Sequence, residues 1–268
     1  MAVAFVAGIL LLAGAPAQGA PARTFSLAYT AELRGNIVPC ACPARPLGGL
    51  SRRIGWIDSL RTAATGPLFV VDAGRFESYP GGLPFPQGPA RDGLRSLLHD
   101  GDRAIAYDAR VGGAAVPGGL RPNEARRILR DGVAVAFVAI DERIDPAPAA
   151  AALRRLEKAD VVVLLCSGDL SFATAAAVTV GADVAVVSRG ATFFEPLWRD
   201  GILYLGPGLD GKYVGLARLA VGPPVHALEV RLRAMDASVP DSPAWKARIE
   251  DVLLGVERSQ PNALSRGE

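Results

Sequence analysis

Histidine is nearly missing from this chain. Its 268 residues hold two, His99 in a helical stretch and His226 in a late strand. Neither lies near the loops where a ligand site is expected, which excludes a histidine-built metal centre. Excess charge is missing as well: 29 Lys and Arg against 27 Asp and Glu leave a net +2, with no basic run. That balance excludes a nucleic acid partner and docking to an anionic membrane. No internal repeat and no low-complexity linker occurs, so the length suits one α/β domain, with or without a small appendage. Cysteine is scarce and odd in number: with three thiols, at least one is free, shared between chains or bound to something.

One long apolar run is present, at the start. "AVAFVAGILLLAG" and then "APAQGA" precede Arg23, the first charged side chain. Gly, Pro and Gln interrupt it well short of the ~20 residues a membrane span needs. With a small-x-small site at Ala15-Pro16-Ala17, or near Ala20, residues 1–20 read as a signal peptide. The mature protein is then periplasmic or secreted, with no membrane attachment after cleavage. No Cys follows the run, which argues against a lipoprotein. An oxidising compartment would favour disulfides.

Alternation marks "TFSLAYTA" (24–31) as a first strand, and Leu50, Ile54, Ile57 and Leu60 share one helical face over 49–62. The runs at 66–74, 132–141, 159–169 and 181–190 are continuously apolar, as in strands covered on both faces. Helical patterns fall at 90–100, 146–158 and 170–179. Residues 200–221 read as strand, Gly-rich turn, strand, and 226–235 as an antiparallel strand. Ser242 and Pro243 open a closing helix over 242–257. This order predicts an α/β domain with a mixed sheet.

Ligands of such sheets gather at the carboxyl ends of strands. The rule selects the loops 31–48, 73–80, 110–119, 166–170 and 188–193. Cys40 and Cys42 fall in the first and Cys166 in the fourth, so all three thiols are expected on one rim. "PLGGL" (46–50) either presents N–H groups to a phosphate or allows a tight turn into the helix; "GPGLDG" (206–211) reads as a turn.

The strand ends carry a resemblance. "YTAELRGN", "GGLSRRIGWIDSLR", "LFVVDAGRF", "YDARVGGAAV", "LCSGD", "GADVAVVSRGAT" and "GKYVGLARLAV" occur in that order over residues 24–222. They are similar to the strand-end motifs of the calcineurin-like metallophosphatase superfamily, in its exported 5′-nucleotidase and UDP-sugar hydrolase branch. The resemblance implies an α/β layered sandwich of mixed β-sheets flanked by helices, spanning 24–222. Residues 223–268 would then be a strand and helix extension, too short for the family's usual second domain.

The family's chemistry rests on two divalent metals that activate water and clamp a phosphoryl group. The resemblance puts the ligand positions at Glu32, Arg34, Arg75, Ala114, Ala115, Ser167, Arg189 and Ala191. Only Glu32 is a metal-binding side chain, so an ordinary two-metal phosphatase is not expected, and no resident cofactor is expected. Arg34, Arg75 and Arg189 would converge where metal charge stood. They form either a pocket for a nucleotide or other phosphorylated anion, or a plug paired with Glu32, Asp72 or Asp169.

The thiols keep several readings open. A Cys-x-Cys disulfide closes a strained ring and suits exchange with a redox partner, with Cys166 as a resolving thiol. Two or three thiolates also suit a soft metal such as Cu(I). An ordinary disulfide between the first and fourth loops is the structural alternative. The chain is also similar to nucleotidase-like exported proteins with a Cys-x-Cys in this loop, which points to thiol chemistry. The expected function is thus non-hydrolytic, with residual phosphoester hydrolysis as the remaining alternative.

Overall fold

The computed structural model describes residues 23–76, 89–112, 118–189 and 195–259. The proposed signal peptide, Ala114, Ala115 and Ala191 lie outside them. The elements follow in chain order: β1 (Thr24–Thr30), α1 (Leu50–Ala63), β2 (Leu68–Asp72), α2 (Pro89–Ile105), β3 (Ala109–Val111), β4 (Gly119–Leu120), β5 (Ala125–Arg130) and β6 (Val133–Asp141). Then come α3 (Ala147–Arg154), β7 (Val161–Ser167), α4 (Leu170–Val180), β8 (Val184–Val187), β9 (Leu197–Arg199), β10 (Ile202–Leu205), β11 (Tyr213–Ala220), β12 (His226–Ala234) and α5 (Pro243–Ser259).

Two six-stranded mixed sheets form, in the orders β12-β11-β1-β2-β3-β4 and β5-β6-β7-β8-β10-β9. β1 to β4 run parallel, and β11 and β12 join them antiparallel. In the second sheet, β6, β7, β8 and β10 run parallel between the antiparallel edges β5 and β9. The sequence predicted a mixed sheet; the chain builds two and packs them face to face.

Strand alternation sorts the apolar side chains into three layers. Phe25, Leu27, Phe69, Val71, Val135, Phe137, Val163 and Leu165 fill the space between the sheets. Ala28, Val70 and Leu68 face α1, α2 and α5. Val138, Ile140, Leu164 and Ala185 face α3 and α4. The result is an α–β–β–α sandwich. Residues 223–259 belong to it: β12 pairs along β11, and Ile249 of α5 is buried in the first helix layer.

Candidate functional site

Beyond the ends of β1 and β2 the two chains stay zipped. Glu32 N–H donates to Gly74 O at 3.0 Å, Arg34 N–H to Arg75 O at 3.0 Å, and Gly35 N–H to Phe76 O at 2.9 Å. This register brings together Glu32, Arg34 and Arg75, three of the positions that the resemblance singled out. Arg75 Nε lies 3.0 Å from Glu32 Oε1, and Arg34 Nε lies 3.8 Å from Glu32 Oε2. Glu32 is buried. Burial pushes its carboxyl up to about 7 against the pull of Arg75 and then Arg34.

The backbone here is unusual. Glu32, Arg34 and Arg75 have φ of 53°, 54° and 60°, in the left-handed region that long side chains rarely adopt. Asp210, which joins them below, has φ 56°. Strain of this kind is kept only where the surroundings over-determine it, and it clusters at functional sites.

Arg34 also reaches the turn between β10 and β11. Its NH1 group donates to Asp210 Oδ1 at 3.2 Å, and Lys212 Nζ donates to Asp210 Oδ2 at 3.3 Å. Gly208, Asp210 and Gly211 all have positive φ in this turn. Gly211 also packs closely: a Cβ there would lie 2.7 Å from Leu33 Cδ1, and that side chain would have to shift. The sequence identifies 206–211 as a turn but gives no sign that Asp210 and Lys212 face the site. Their only signal is the combination Asp-Gly-Lys, in which glycine lets the two charges share one side.

The cysteine loop closes on itself through an isolated bridge between Pro39 and Gly48, and Cys40 N–H donates to Leu47 O at 2.8 Å. Cys40 Sγ and Cys42 Sγ lie in direct contact, 2.7 Å apart, and Leu47 N–H donates to Cys40 Sγ at 3.3 Å. Both thiols are free; Cys40 is half-buried and Cys42 exposed. The contact with Cys42 and then the Leu47 N–H hold the Cys40 thiol below its ordinary range, while Cys42 is raised by the same contact. Lys212 favours the charged form of both. The loop also touches the Asp210 turn, since a Cβ on Gly48 would sit 3.5 Å from Asp210 O.

Gly48 and Gly49, with φ of 91° and 99°, make the turn into α1. Gly48 N–H and Leu50 N–H are spent on Met235 O and Ile37 O, which fits the tight-turn reading of "PLGGL".

One expectation is corrected. Cys166 ends β7 but does not face the rim. Neighbours on a strand point to opposite faces. Val163 and Leu165 therefore enter the core between the sheets, while Cys166 is fully buried against α3 and α4 with Ile140, Ala149 and Ala173. Burial pushes its thiol up to about 12. Ser167, one residue on, takes the rim side: a Cβ on Gly74 would lie 3.2 Å from Ser167 Cβ. Arg189 has a carboxylate partner of its own. Its NH2 group sits 2.5 Å from Glu142 Oε2 on the second sheet's rim, because Glu142 is the carboxylate within its reach. Asp169 is occupied as the N-cap of α4, accepting from Phe172 N–H. Asp72 is held by Thr30 Oγ1 at 2.6 Å and by Gly74 N–H, with the buried Arg53 at 3.7 Å.

A pair of divalent metals does not fit this donor set. At the ligand positions among the described residues, one carboxylate stands with three guanidinium groups and a serine, and Arg75 already occupies Glu32 Oε1. No group of three or more His, Cys, Asp or Glu is placed to hold a metal ion among the described residues.

The architecture is the fold of solved 5′-nucleotidases and calcineurin-like phosphoesterases. The structure is similar to the 5′-nucleotidase precursor of Thermus thermophilus, with a TM-score of 0.70 and 18% identity, over 91% of this chain and 60% of that one. It is similar to the sulfate thiohydrolase SoxB of the same organism, with a TM-score of 0.68 and 16% identity, over 86% of this chain and 60% of that one. For the calcineurin-like phosphoesterase YfkN of Bacillus subtilis, the values are 0.60 and 13%, over 89% and 99%. The chain thus spans about 60% of the length of the first two. No family model and no curated protein sequence matches the chain.

Proposed function

We propose that this is an exported, non-hydrolytic protein whose working group is the Cys40–Cys42 thiol pair, exchanging thiols with a disulfide partner. The observation that carries the reading is the sulfur contact of 2.7 Å in an accessible loop, with Leu47 N–H directed at Cys40. A lowered thiol beside a second thiol is what an attacking and resolving pair requires.

The step balances within the pair and its partner. Cys40 thiolate attacks one sulfur of a disulfide R–S–S–R′, forming a mixed disulfide and releasing RS⁻, which takes a proton. Cys42, having lost its proton to solvent, attacks Cys40 Sγ and releases R′S⁻. The protein pair is oxidised by two electrons and the partner is reduced to two thiols. The Cys-x-Cys ring is strained, so the oxidised form readily passes its disulfide to another dithiol.

The arginines support the non-hydrolytic part. Arg75 and Arg34 lie against Glu32 at positions that the family resemblance assigns to metal ligands, which favours the plug over a three-arginine anion pocket. Export rests on the apolar run before Arg23 and is checked by sequencing the N-terminus of the mature protein.

The test uses full-length mature protein, reduced and then mixed with hydroxyethyl disulfide. Cys40→Ser is expected to abolish rapid exchange, and Cys42→Ser to accumulate a mixed disulfide on Cys40. Exchange no faster than that of an unstructured thiol peptide overturns the thiol reading. Rapid turnover of a nitrophenyl phosphate ester with added Mn²⁺ overturns the non-hydrolytic one. Copper or zinc retained at one equivalent through purification, and lost in Cys42→Ser, transfers the pair to soft-metal binding.

A further inference from the structure

The turn between β10 and β11 adds a feature that exchange alone does not need. Asp210 is one carboxylate shared by two cations, Arg34 at 3.2 Å and Lys212 at 3.3 Å, while Arg75 is already matched by Glu32. The trio Arg34–Asp210–Lys212 therefore carries one surplus positive charge. It is neither sealed in the core nor free on the surface: the side chains are 21%, 30% and 30% exposed. The turn lies against the thiol loop, with Asp210 O and Gly211 O at 3.5 and 3.6 Å from a Cβ on Gly48, and Gly48 bridges Pro39 next to Cys40.

The backbone is held in place at a cost. Among the described residues, eight non-glycine positions have positive φ, and four of them are Glu32, Arg34, Arg75 and Asp210. Three of the other four are Asn123, Asp131 and Asp200, residue types that tolerate this region. A glutamate and two arginines do not share that tolerance. The strained positions hold charged side chains together next to the turn that packs on the thiol loop.

We propose, building on the thiol reading above, that the disulfide partner is a small molecule bearing a carboxylate, and that Arg34 and Lys212 hold that carboxylate while Cys40 attacks the sulfur. One surplus charge matches one carboxylate. Arg34 supplies the forked donor and Lys212 the point charge nearer the thiols. Asp210 keeps the two cations together without cancelling both. Lys212 is thus a specificity residue: it favours thiolate formation for any partner and adds recognition for an anionic one.

The experiment measures second-order rates of the reduced full-length protein with 3,3′-dithiodipropionate, hydroxyethyl disulfide and cystamine, which are anionic, neutral and cationic. Each rate is divided by that of a free small-molecule thiol. The wild type is expected to favour dithiodipropionate over hydroxyethyl disulfide by about tenfold at low salt, with cystamine slowest and the preference shrinking in high salt. In Lys212→Gln both rates fall, and the anionic-to-neutral ratio falls towards one. Arg34→Lys, which keeps the charge and loses the fork, is expected to give an intermediate ratio. Equal normalised rates for the three probes, or cystamine fastest, overturn this inference and leave the thiol reading standing. Slow reaction with every probe overturns the thiol reading itself. A ratio unchanged in Lys212→Gln removes Lys212 from recognition and overturns the assignment.

Discussion

At the ends of β1 and β2 the charged side chains turn inward. Glu32 and Arg53 are buried, Asp72 is closed over by Thr30, and Arg75 lies on Glu32 in strained backbone. At the ends of β6, β7 and β8 they turn outward. Arg143 is 83% exposed on Asp141, Arg189 pairs with Glu142 at the surface, and the thiol of Cys166 is buried beneath them. Corresponding rims of two sheets with parallel centres have diverged: one concentrates charge, strain and accessible sulfur, and the other is ordinary surface over a packed core. Buried charge needs paired neighbours to persist, whereas exposed pairs add little.

The largest expected contrast is between the thiols. In native protein, Cys40 is alkylated faster than Cys166 by more than about 100-fold, because Cys166 is buried and its thiol is pushed up to about 12. Mass spectrometry of iodoacetamide-treated protein reads this directly, and Cys166 reacts only after denaturant is added. Comparable native rates would erase the distinction between the rims.

Next come the charges. Arg53→Ala strips Asp72 of its buried cation and is expected to cost about 3–5 kcal/mol in denaturant unfolding. Glu32 follows. Its folded carboxyl sits at about 7, raised from 4.5, so its contribution to stability is full below about pH 4.5 and is lost as pH rises through 7. Over that window Glu32→Gln removes a decline of about 3 kcal/mol relative to wild type, measured by urea midpoints at pH 4.5 and 7.5. Identical pH slopes would mean that Arg75 and Arg34, not burial, set the state of Glu32. Smallest is Arg189→Ala: its pair with Glu142 is exposed, and the expected change is under about 1 kcal/mol. A loss as large as that from Arg53→Ala would place Arg189 with the first rim after all.

Much of the fold was legible in the sequence. Continuous apolar runs mark β2, β6, β7 and β8 because both faces of those strands are covered. Ser242 and Pro243 mark the start of α5. The strand β5, "ARRILR", was not legible: it is a sheet edge whose arginines bond to backbone and carboxylates, so it lacks an apolar pattern. The pairing of two sheets was not legible from periodicity either, since a buried strand reads the same in one sheet or two.

The site was legible by position and not by direction. The rule that selects strand ends found Glu32, Arg34, Cys40, Cys42 and Arg75 together. It missed the facing of Cys166, although alternation from Leu165 and Ser167 contains that information. It missed Asp210 and Lys212 because they arrive from an antiparallel return, through a turn whose glycines hide its charges.

The most direct test equilibrates the mature protein with glutathione buffers of graded potential and maps each cysteine by differential alkylation. The account predicts a Cys40–Cys42 disulfide that forms and breaks within the buffered range, with Cys166 reduced throughout. A disulfide that links Cys166 to either loop thiol, or a pair that stays reduced at every potential, would contradict it.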